Sequence, residues 1–323
     1  MTVHVIATGG TISSHFDGHE WTNVLGQQLV DEAGPHAVSV EVVDVAAGPS
    51  SNLGVVDMVQ IAERVRQVLD EGATGVVVLH GTDTIELTAF VAQLLLGVQP
   101  DRAPVVFTGS MRVHSHPSAD GPANVRDAIT VAASTAAVGR EVLVCLEGEL
   151  HAAAEVVKHN ANSVDAFTSH PFEPVGEVHG DEVTFRRSAP NVPGAVGLDA
   201  EVSLLACSPG VPGDEFTRLA EGRRGIVVEA FGDINVPHQL WMPIHTAWNA
   251  GALVVLASRP FTRNIGDDDL RSLGAVGAGG LTAQKARLAL MAALTSCATR
   301  EDAIVFLHRY ALAYDAHDRS TSP

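Results

Sequence analysis

Two short turns rich in hydroxyl side chains stand out in the first ninety residues of the chain. One turn, Thr8-Gly9-Gly10-Thr11, follows the apolar run Val3–Ala7, and the other, His80-Gly81-Thr82-Asp83-Thr84, follows Val76–Leu79. In open α/β sheets, ligands bind where strands end and helices begin, because free backbone N–H groups there stabilise anions. The two turns therefore predict one shared site.

The chemistry that such turns could supply is nucleophilic attack by a threonine hydroxyl. Thr11 and Thr82 are poor nucleophiles unless a base accepts the hydroxyl proton and nearby donors stabilise an oxyanion. Gly9 and Gly10 would let the backbone approach a substrate closely, and Asp83 could bind an ammonium group. The alternative is that these side chains only cap the helices that follow, which is their commoner role.

Lysine usage indicates a candidate base. The chain has 18 arginines but only two lysines, Lys158 and Lys285. A buried lysine can lose its proton, and the neutral amine can then accept a proton from a threonine hydroxyl, which arginine cannot do. Lys158 is the predicted base, with chance retention of a lysine there as the alternative. We expect Lys285, in the middle of a predicted helix, on a solvated face.

The elements that would position these residues alternate between strands and helices. Short, apolar, β-branched runs are typical of parallel strands covered on both faces. They are Val40–Val45, Gly75–Leu79, Pro104–Thr108 and Glu141–Leu146. Helical spacing occurs at Val55–Glu71, Thr84–Leu96 and from about Ser118-Ala119-Asp120-Gly121-Pro122. This βαβα order predicts a doubly wound, mostly parallel sheet.

A Pro/Gly-rich stretch from Arg186 to Gly197 predicts a linker. Beyond it, the predicted strands are Val202–Ala206, Gly225–Ala230 and Leu253–Ala257, and the predicted helices are Phe216–Glu221, Pro243–Ala250 and Thr282–Thr295. We therefore predict a two-domain α/β protein, with a larger N-terminal catalytic domain at 1–185, a linker at 186–201 and a smaller C-terminal α/β domain at 202–323.

Composition limits the class of partner and the compartment. The 323 residues are 46% apolar with a formal net charge of −18, which disfavours nucleic acid and anionic membranes because both need clustered cations. No apolar run reaches the roughly 20 residues of a membrane span, and no basic secretory segment begins the chain. Cys145, Cys207 and Cys297 are predicted to be buried free thiols of a reducing compartment. We expect a cytoplasmic protein with a small-molecule partner.

Five groups of residues, in order along nearly the whole chain, resemble those of a known family. They are Ala7-Thr8-Gly9-Gly10-Thr11-Ile12; His80-Gly81-Thr82-Asp83-Thr84 with Glu86 and Thr88-Ala89; Gly109-Ser110-Met111-Arg112 with Ser118-Ala119-Asp120-Gly121-Pro122; Lys158 with Asn160 and Phe167; and Gln284-Lys285-Ala286-Arg287. The family is that of the bacterial-type L-asparaginases and glutaminase-asparaginases. The resemblance implies hydrolysis of the side-chain amide of asparagine, giving aspartate and ammonia, by a threonine nucleophile without metal or organic cofactor.

The resemblance also implies roles for individual residues. Thr11 corresponds to the nucleophile, and Thr82, Asp83 and Lys158 correspond to a second triad in which Asp83 also binds the substrate ammonium. The implied substrate-binding residues are Ser50, favoured over its neighbour Ser51 for the substrate carboxylate, together with Gly10, Gly81, Ser110 and Asn235.

Asn235 corresponds to a residue that bridges subunits in the family. Its neighbours Asp233 and Ile234 stand where the family usually has a small or apolar residue and a glycine. The resemblance implies an active unit of at least two subunits, and we expect a homodimer or homotetramer with sites completed across an interface.

The segment after the first turn departs from the family pattern. The family carries there a mobile loop with a tyrosine that polarises the nucleophilic threonine, whereas Ser13–Thr22 has only Trp21 as its nearest aromatic match. The only tyrosines are Tyr310 and Tyr314. Three hypotheses follow: a water or another side chain replaces the phenol, the second threonine and the lysine carry more of the chemistry, or the protein is slow or inactive on asparagine.

Other functions fit the sequence less well. His114-Ser115-His116 could bind zinc, but no third ligand has a recognisable spacing, and His80 is expected to be structural rather than a base. A nucleotide-binding oxidoreductase needs a third glycine that Thr8–Ile12 lacks. The stronger alternative is a non-catalytic amino-acid sensor, or an amidohydrolase of another amide, on the same fold.

Overall fold

The computed structural model describes residues 1–45, 48–187, 194–198, 201–260 and 267–318, with only the backbone described at 267–269 and 311–318. The chain divides into two units, Met1–Gly194 and Ala195–Pro323. Residues 188–193 and 199–200 of the predicted linker lie outside the described residues. The linker at 186–201 and the domain bounds on either side of it stay predictions.

The first unit is built on an eight-stranded sheet. The twelve described strands of the unit, in this sheet and in two hairpins, are β1 (Thr2–Ala7), β2 (Ser14–Phe16), β3 (Trp21–Asn23), β4 (Ser39–Asp44), β5 (Gly75–Leu79), β6 (Val105–Thr108), β7 (Leu143–Leu146), β8 (Glu149–Ala152), β9 (Val157–Lys158), β10 (Phe167–Thr168), β11 (Gly176–His179) and β12 (Glu182–Phe185). The sheet order is β12-β11-β8-β7-β6-β5-β1-β4. Along the sheet, the neighbouring strands β4, β1, β5, β6 and β7 pair in parallel. The pairs β7–β8, β8–β11 and β11–β12 are antiparallel. Two hairpins, β2–β3 and β9–β10, stand apart from this sheet.

Helices cover this sheet because its central strands are apolar on both faces. The helices are α1 (Gly26–Glu32), α2 (Val55–Asp70), α3 (Ile85–Leu96) and α4 (Gly121–Ala133). Every residue of β5 is buried, and α1 and α4 share a core with β1 and β5 through side chains such as Leu29, Val77 and Ile129. Gly75 permits this packing, since a Cβ there would lie 2.0 Å from the carbonyl oxygen of Ala132 in α4.

The second unit has a smaller, fully parallel sheet in the order β13-β14-β15-β16. Its elements are β13 (Val202–Ala206), α5 (Gly213–Ala220), β14 (Gly225–Ala230), α6 (Trp241–Asn249), β15 (Leu253–Ser258), α7 (Asp267–Leu273), β16 (Val276–Gly277), α8 (Ala283–Ser296) and α9 (Arg300–Asp318). Phe216 of α5 and Ile244 of α6 form a core with Val228 and Leu256 of the sheet. The predicted two-domain α/β fold class is confirmed.

The three cysteines differ in their burial. All three cysteines are free, but only Cys145 is buried, because Cys207 and Cys297 lie at partly exposed positions. The prediction of three buried thiols was therefore wrong for two of them. Within the part of the chain that the structure describes, no helix has the length and apolar composition needed to cross a membrane.

Candidate active site

The two hydroxyl-rich turns meet because their strands are neighbours. Strands β1 and β5 are paired in parallel with Ala7 opposite Leu79, so both turns leave the same edge of the sheet. The backbone N–H and the hydroxyl of Thr8 both donate to the carbonyl of Leu79, each at 2.9 Å. The sequence prediction that the turns converge follows from this register, since parallel strands end at a common edge.

Glycines bring the two turns into direct backbone contact. Gly10 has a φ of +92°, and a Cβ at this position would lie 2.4 Å from the Cα of Gly81. A Cβ on Gly81 would lie 2.6 Å from the hydroxyl oxygen of Ser50. Thr84 holds Ser50 in place, since its hydroxyl donates to the Ser50 carbonyl at 2.8 Å. Side chains other than hydrogen would therefore force the three segments apart.

The converging segments enclose a pocket of about 340 Å³. Its lining residues are Gly10, Thr11, Ser14, Trp21, Thr22, Asn23, Gly48, Pro49, Ser50, Gly81 and Asp83. Five of the residues predicted from sequence are among them. The pocket thus collects the candidate nucleophile Thr11, the candidate ammonium ligand Asp83 and the candidate carboxylate ligand Ser50.

Beside the pocket, Lys158 joins the second turn through its side chain. Its Nζ atom donates to the Oγ1 atom of Thr82 and to the Oδ1 atom of Asp83, both at 3.0 Å. Thr82 is buried, whereas the Lys158 side chain is 17% exposed and that of Asp83 is 61% exposed. The carboxylate of Glu86, in the first turn of α3, accepts the backbone N–H of Lys158 and fixes β9 there. The Lys158 amine therefore contacts both a hydroxyl and a carboxylate.

Three predicted binding residues lie apart from the pocket lining. Ser51 is exposed in the turn that buries Ser50. Ser110 is buried, and its hydroxyl donates to the carbonyl of Arg112 at 2.7 Å. Asn235 lies exposed in the second unit, where its side-chain amide donates to the carbonyl of Gly232 at 2.8 Å. Their roles in binding stay predictions.

The segment that departs from the family pattern forms the β2–β3 hairpin. In register, Ser14 faces Asn23 and Phe16 faces Trp21, and the rings of the latter pair are 5.1 Å apart. Sequence reasoning missed this hairpin, although Asp17-Gly18 between two short runs is a known hairpin signal. Because the hairpin contributes four residues to the pocket lining, it is part of the candidate site.

His80 lies beneath the second turn and is fully buried. Its Nδ1 atom is 2.8 Å from the carbonyl oxygen of Gly81. Burial outweighs this hydrogen bond and lowers the pKa of His80 to about 4, so the ring is neutral at neutral pH. Its Nε2 atom is buried without a hydrogen-bond partner in the described structure.

Two further observations concern possible metal ligands and Lys285. Among the described residues, no three His, Cys, Asp or Glu side chains are grouped to hold a metal ion. Lys285 is fully buried at the start of α8, where its N–H donates to the Thr282 hydroxyl. The expectation of a solvated Lys285 was therefore wrong, because α8 is buried over most of its length, from Ala283 to Ala293.

Two domain models of one protein family match this chain, one in each unit. The model of the N-terminal asparaginase domain matches residues 2–191, and that of the glutaminase/asparaginase C-terminal domain matches residues 201–304. The chain belongs to the asparaginase family. The predicted resemblance is thereby confirmed, and the protein is an amidohydrolase of this family.

Individual relatives align over most of the chain. A probable L-asparaginase of Deinococcus radiodurans is 35% identical, covering 92% of this chain and 94% of the relative. A component of the glutamyl-tRNA(Gln) amidotransferase of Halobacterium salinarum is 30% identical, covering 94% and 77%. The crystal structure of a probable cytoplasmic L-asparaginase from Campylobacter jejuni is similar with a TM-score of 0.83, at 27% identity, covering 95% of this chain and 99% of that one.

Proposed function

We propose that this asparaginase-family enzyme hydrolyses the side-chain amide of L-asparagine to L-aspartate and ammonia, with Thr11 as nucleophile. The observation that carries the proposal is the convergence of Thr11, Ser50 and Asp83 on one pocket, beside the contact between Thr82 and Lys158. The Deinococcus radiodurans and Campylobacter jejuni relatives, both named as probable L-asparaginases, support the same substrate.

The pocket has the groups that a small amino acid needs. The exposed carboxylate of Asp83 can accept hydrogen bonds from the substrate ammonium, and the hydroxyl of Ser50 can donate to the substrate carboxylate. Gly10 and Gly81 let the two turns and Ser50 pack together at the pocket, because neither residue has a Cβ. A volume of about 340 Å³ suits a molecule of asparagine size and lies near the lower end of ligand pockets.

The reaction proceeds through a covalent ester. The Thr11 hydroxyl oxygen attacks the amide carbon, the C–N bond breaks, and the nitrogen leaves as ammonia after gaining a proton. Water then attacks the aspartyl ester, which releases aspartate and returns the proton to Thr11. Both steps need a base, and in the described site the Thr82–Lys158 pair can supply one once Nζ is a neutral amine, directly or through a water.

The hairpin has no phenol, so Thr11 needs another group to accept its proton. Trp21 lines the pocket but has no hydroxyl to polarise Thr11. Of the two tyrosines, Tyr310 is buried in the second unit, and the side chain of Tyr314 lies outside the described residues. We therefore assign more of the proton transfer to Thr82 and Lys158 than the family pattern gives them.

The assembly and compartment are part of the proposal. Asn235 and the family resemblance support a homodimer or homotetramer, which light scattering of the purified chain would measure. Free cysteines and the Campylobacter jejuni neighbour, described as cytoplasmic, support a cytoplasmic protein. Fractionation of the native cells would show the protein in the cytoplasmic fraction.

An amide panel tests the substrate assignment. Ammonia release is measured from L-asparagine, L-glutamine and D-asparagine, and aspartate binding is measured by calorimetry. We expect the highest kcat/KM with L-asparagine. A higher kcat/KM for another amide would favour an amidohydrolase of that substrate. Aspartate binding without release from any amide would favour the sensor.

A further inference from the structure

A chain of three titratable side chains connects the β2–β3 hairpin to helix α1. The Nδ1 atom of His15, in β2, lies 3.0 Å from the Nδ1 atom of His114. The Nε2 atom of His114 lies 2.6 Å from the Oε2 atom of Glu32, the last residue of α1. The His114 side chain is only 11% exposed. The hairpin is thus tied to the body of the first unit through a largely buried imidazole.

Backbone contacts fix the same strand of the hairpin on either side of His15. The N–H of His114 donates to the carbonyl of Ser14 at 2.8 Å. The N–H of Phe16 donates to the hydroxyl of Ser115 at 3.0 Å. Three consecutive residues of β2 therefore contact the loop that contains His114.

This strand positions the part of the hairpin that faces the pocket. His15 is paired across the hairpin with Thr22, and Ser14 is paired with Asn23. Ser14, Thr22 and Asn23 line the pocket, as does Trp21. A change at His15 can therefore reach the pocket wall through a single cross-strand pair.

The contact between the two imidazoles tolerates only some protonation states. A hydrogen bond between two Nδ1 atoms needs one N–H and one lone pair. The Nε2 atom of His114 faces a carboxylate and carries a proton, so its Nδ1 atom accepts from His15 when both rings are neutral. One added proton leaves a donor and an acceptor, but a second added proton leaves two N–H groups facing each other.

Two carboxylates lie near the pair of imidazoles. The Glu32 carboxylate interacts electrostatically with both imidazoles when they are protonated, and Asp17 in the hairpin turn does so with His15. Burial raises the pKa of Glu32, but hydrogen bonds from Gln28 and His114 outweigh it and lower the pKa overall. Backbone hydrogen bonds from Glu20 and His19 lower the pKa of Asp17. Both carboxylates therefore stay ionised in mild acid, and only the second proton breaks the bond between the rings.

We propose that His15, His114 and Glu32 are positioning residues that hold the β2–β3 hairpin at the substrate pocket, and that double protonation of the two imidazoles releases it. The inference rests on the proposed function, because the pocket that the hairpin completes is the proposed asparagine site. It adds a pH-dependent control of substrate affinity that is separate from the catalytic threonines and lysine.

Steady-state kinetics at about pH 7.5 and about pH 5 test the inference, since imidazoles commonly titrate within this range. His15→Phe removes the hydrogen bond, and we expect KM for L-asparagine to rise about three- to tenfold at the higher pH with kcat changed less than about twofold. His15→Asn places an amide at the position of Nδ1 that can donate or accept, so KM should stay low at both pH values. The native chain should have a low KM at the higher pH and a high KM at the lower pH.

His19→Gln is the matched control, because it removes an exposed imidazole from the turn of the same hairpin. It should follow the native pH dependence. A native KM and native pH dependence in His15→Phe would overturn the tether while leaving the proposed function intact. The same pH dependence in His15→Asn as in the native chain would also overturn it.

A fluorescence readout separates the tether from catalysis. Trp21 is one of three tryptophans, so replacing Trp241 and Trp248 with phenylalanine leaves Trp21 as the only tryptophan. Its emission should change between the two pH values in this background, and the change should be lost in His15→Phe and His15→Asn but kept in His19→Gln. If no amide is hydrolysed but this pattern appears, the proposed function fails and the tether stands. If Trp21 emission has no pH dependence, the tether is overturned.

Discussion

The Nζ atom of Lys158 donates a hydrogen bond of 3.0 Å to the hydroxyl of Thr82, which lies 76 residues earlier in the chain. The contact depends on two separate supports. Strand β5 delivers Thr82 to the edge of the sheet, and the Glu86 carboxylate holds the backbone of Lys158 in β9. Together, the end of β5 and the contact with Glu86 place the Lys158 amine beside the buried hydroxyl of Thr82.

Replacing this amine should separate its base role from its charge. Lys158→Met removes both, and we expect kcat to fall by about 10²–10⁴-fold, as for loss of a general base. Lys158→Arg retains a cation that can contact Asp83 but cannot act as a base at neutral pH. Steady-state ammonia release should show a similar loss of kcat in both variants. Near-native kcat in Lys158→Arg would mean that the lysine only pairs with Asp83.

The two neighbouring serines provide a matched test of substrate binding. Ser50 is buried and lines the pocket, whereas Ser51 is exposed beside it. Ser50→Ala should raise KM for L-asparagine by about 10–100-fold, because a hydrogen bond to a charged group is lost. Ser51→Ala should leave KM within about twofold of the native value. Equal effects of the two substitutions would contradict the assignment of Ser50 to the substrate carboxylate.

The contact between the turns predicts a difference between two glycines. Gly10 and Gly34 both have positive φ, of +92° and +102°, but a Cβ on Gly34 would have nothing within 4 Å. Gly34→Ala should lower the free energy of unfolding by about 1 kcal/mol from backbone strain alone. Gly10→Ala should lower it by about 1–3 kcal/mol more, because its Cβ overlaps Gly81. Urea titration of both variants measures the difference, and equal losses would contradict the close approach.

His80 predicts part of the acid sensitivity of the fold. Its pKa is lowered from 6.5 to about 4 by burial, so the neutral ring contributes stability that is complete above pH 6.5 and is lost as the pH falls towards 4. The loss amounts to about 3 kcal/mol. His80→Asn retains a donor near the Gly81 carbonyl without a titrating group. Its free energy of unfolding, measured by urea titration between these pH values, should fall less steeply than that of the native chain; an unchanged slope would contradict this assignment.

The central strands and the convergence of the turns could be predicted from sequence for a physical reason. Gly75–Leu79 and Gly225–Ala230 have the predicted bounds because a fully buried parallel strand is an unbroken apolar run ended by turn residues. Thr11, Thr82 and Asp83 follow such strands, so the parallel sheet alone brings them to one edge.

Other elements and contacts could not be predicted, because the sequence pattern that would indicate them is weak or lacking. Strands β2 and β3 have three residues each and largely polar side chains, so alternation cannot identify them. Helix α1 begins after Leu25 without a side-chain cap and with glycine as its first residue. The partners of His114 are 82 and 99 residues away, and no local pattern indicates such contacts. Lys285 was misplaced because helical spacing gives the face of a residue but not what packs against that face.

The identity of the nucleophile is tested most directly by trapping the ester during turnover. The native chain is mixed with L-asparagine, quenched rapidly in acid and digested, and the peptides are mapped by mass spectrometry. We predict an aspartyl ester on the peptide that contains Thr11, and loss of both the ester and ammonia release in Thr11→Ala. An ester on the peptide that contains Thr82, or native turnover in Thr11→Ala, would contradict the account.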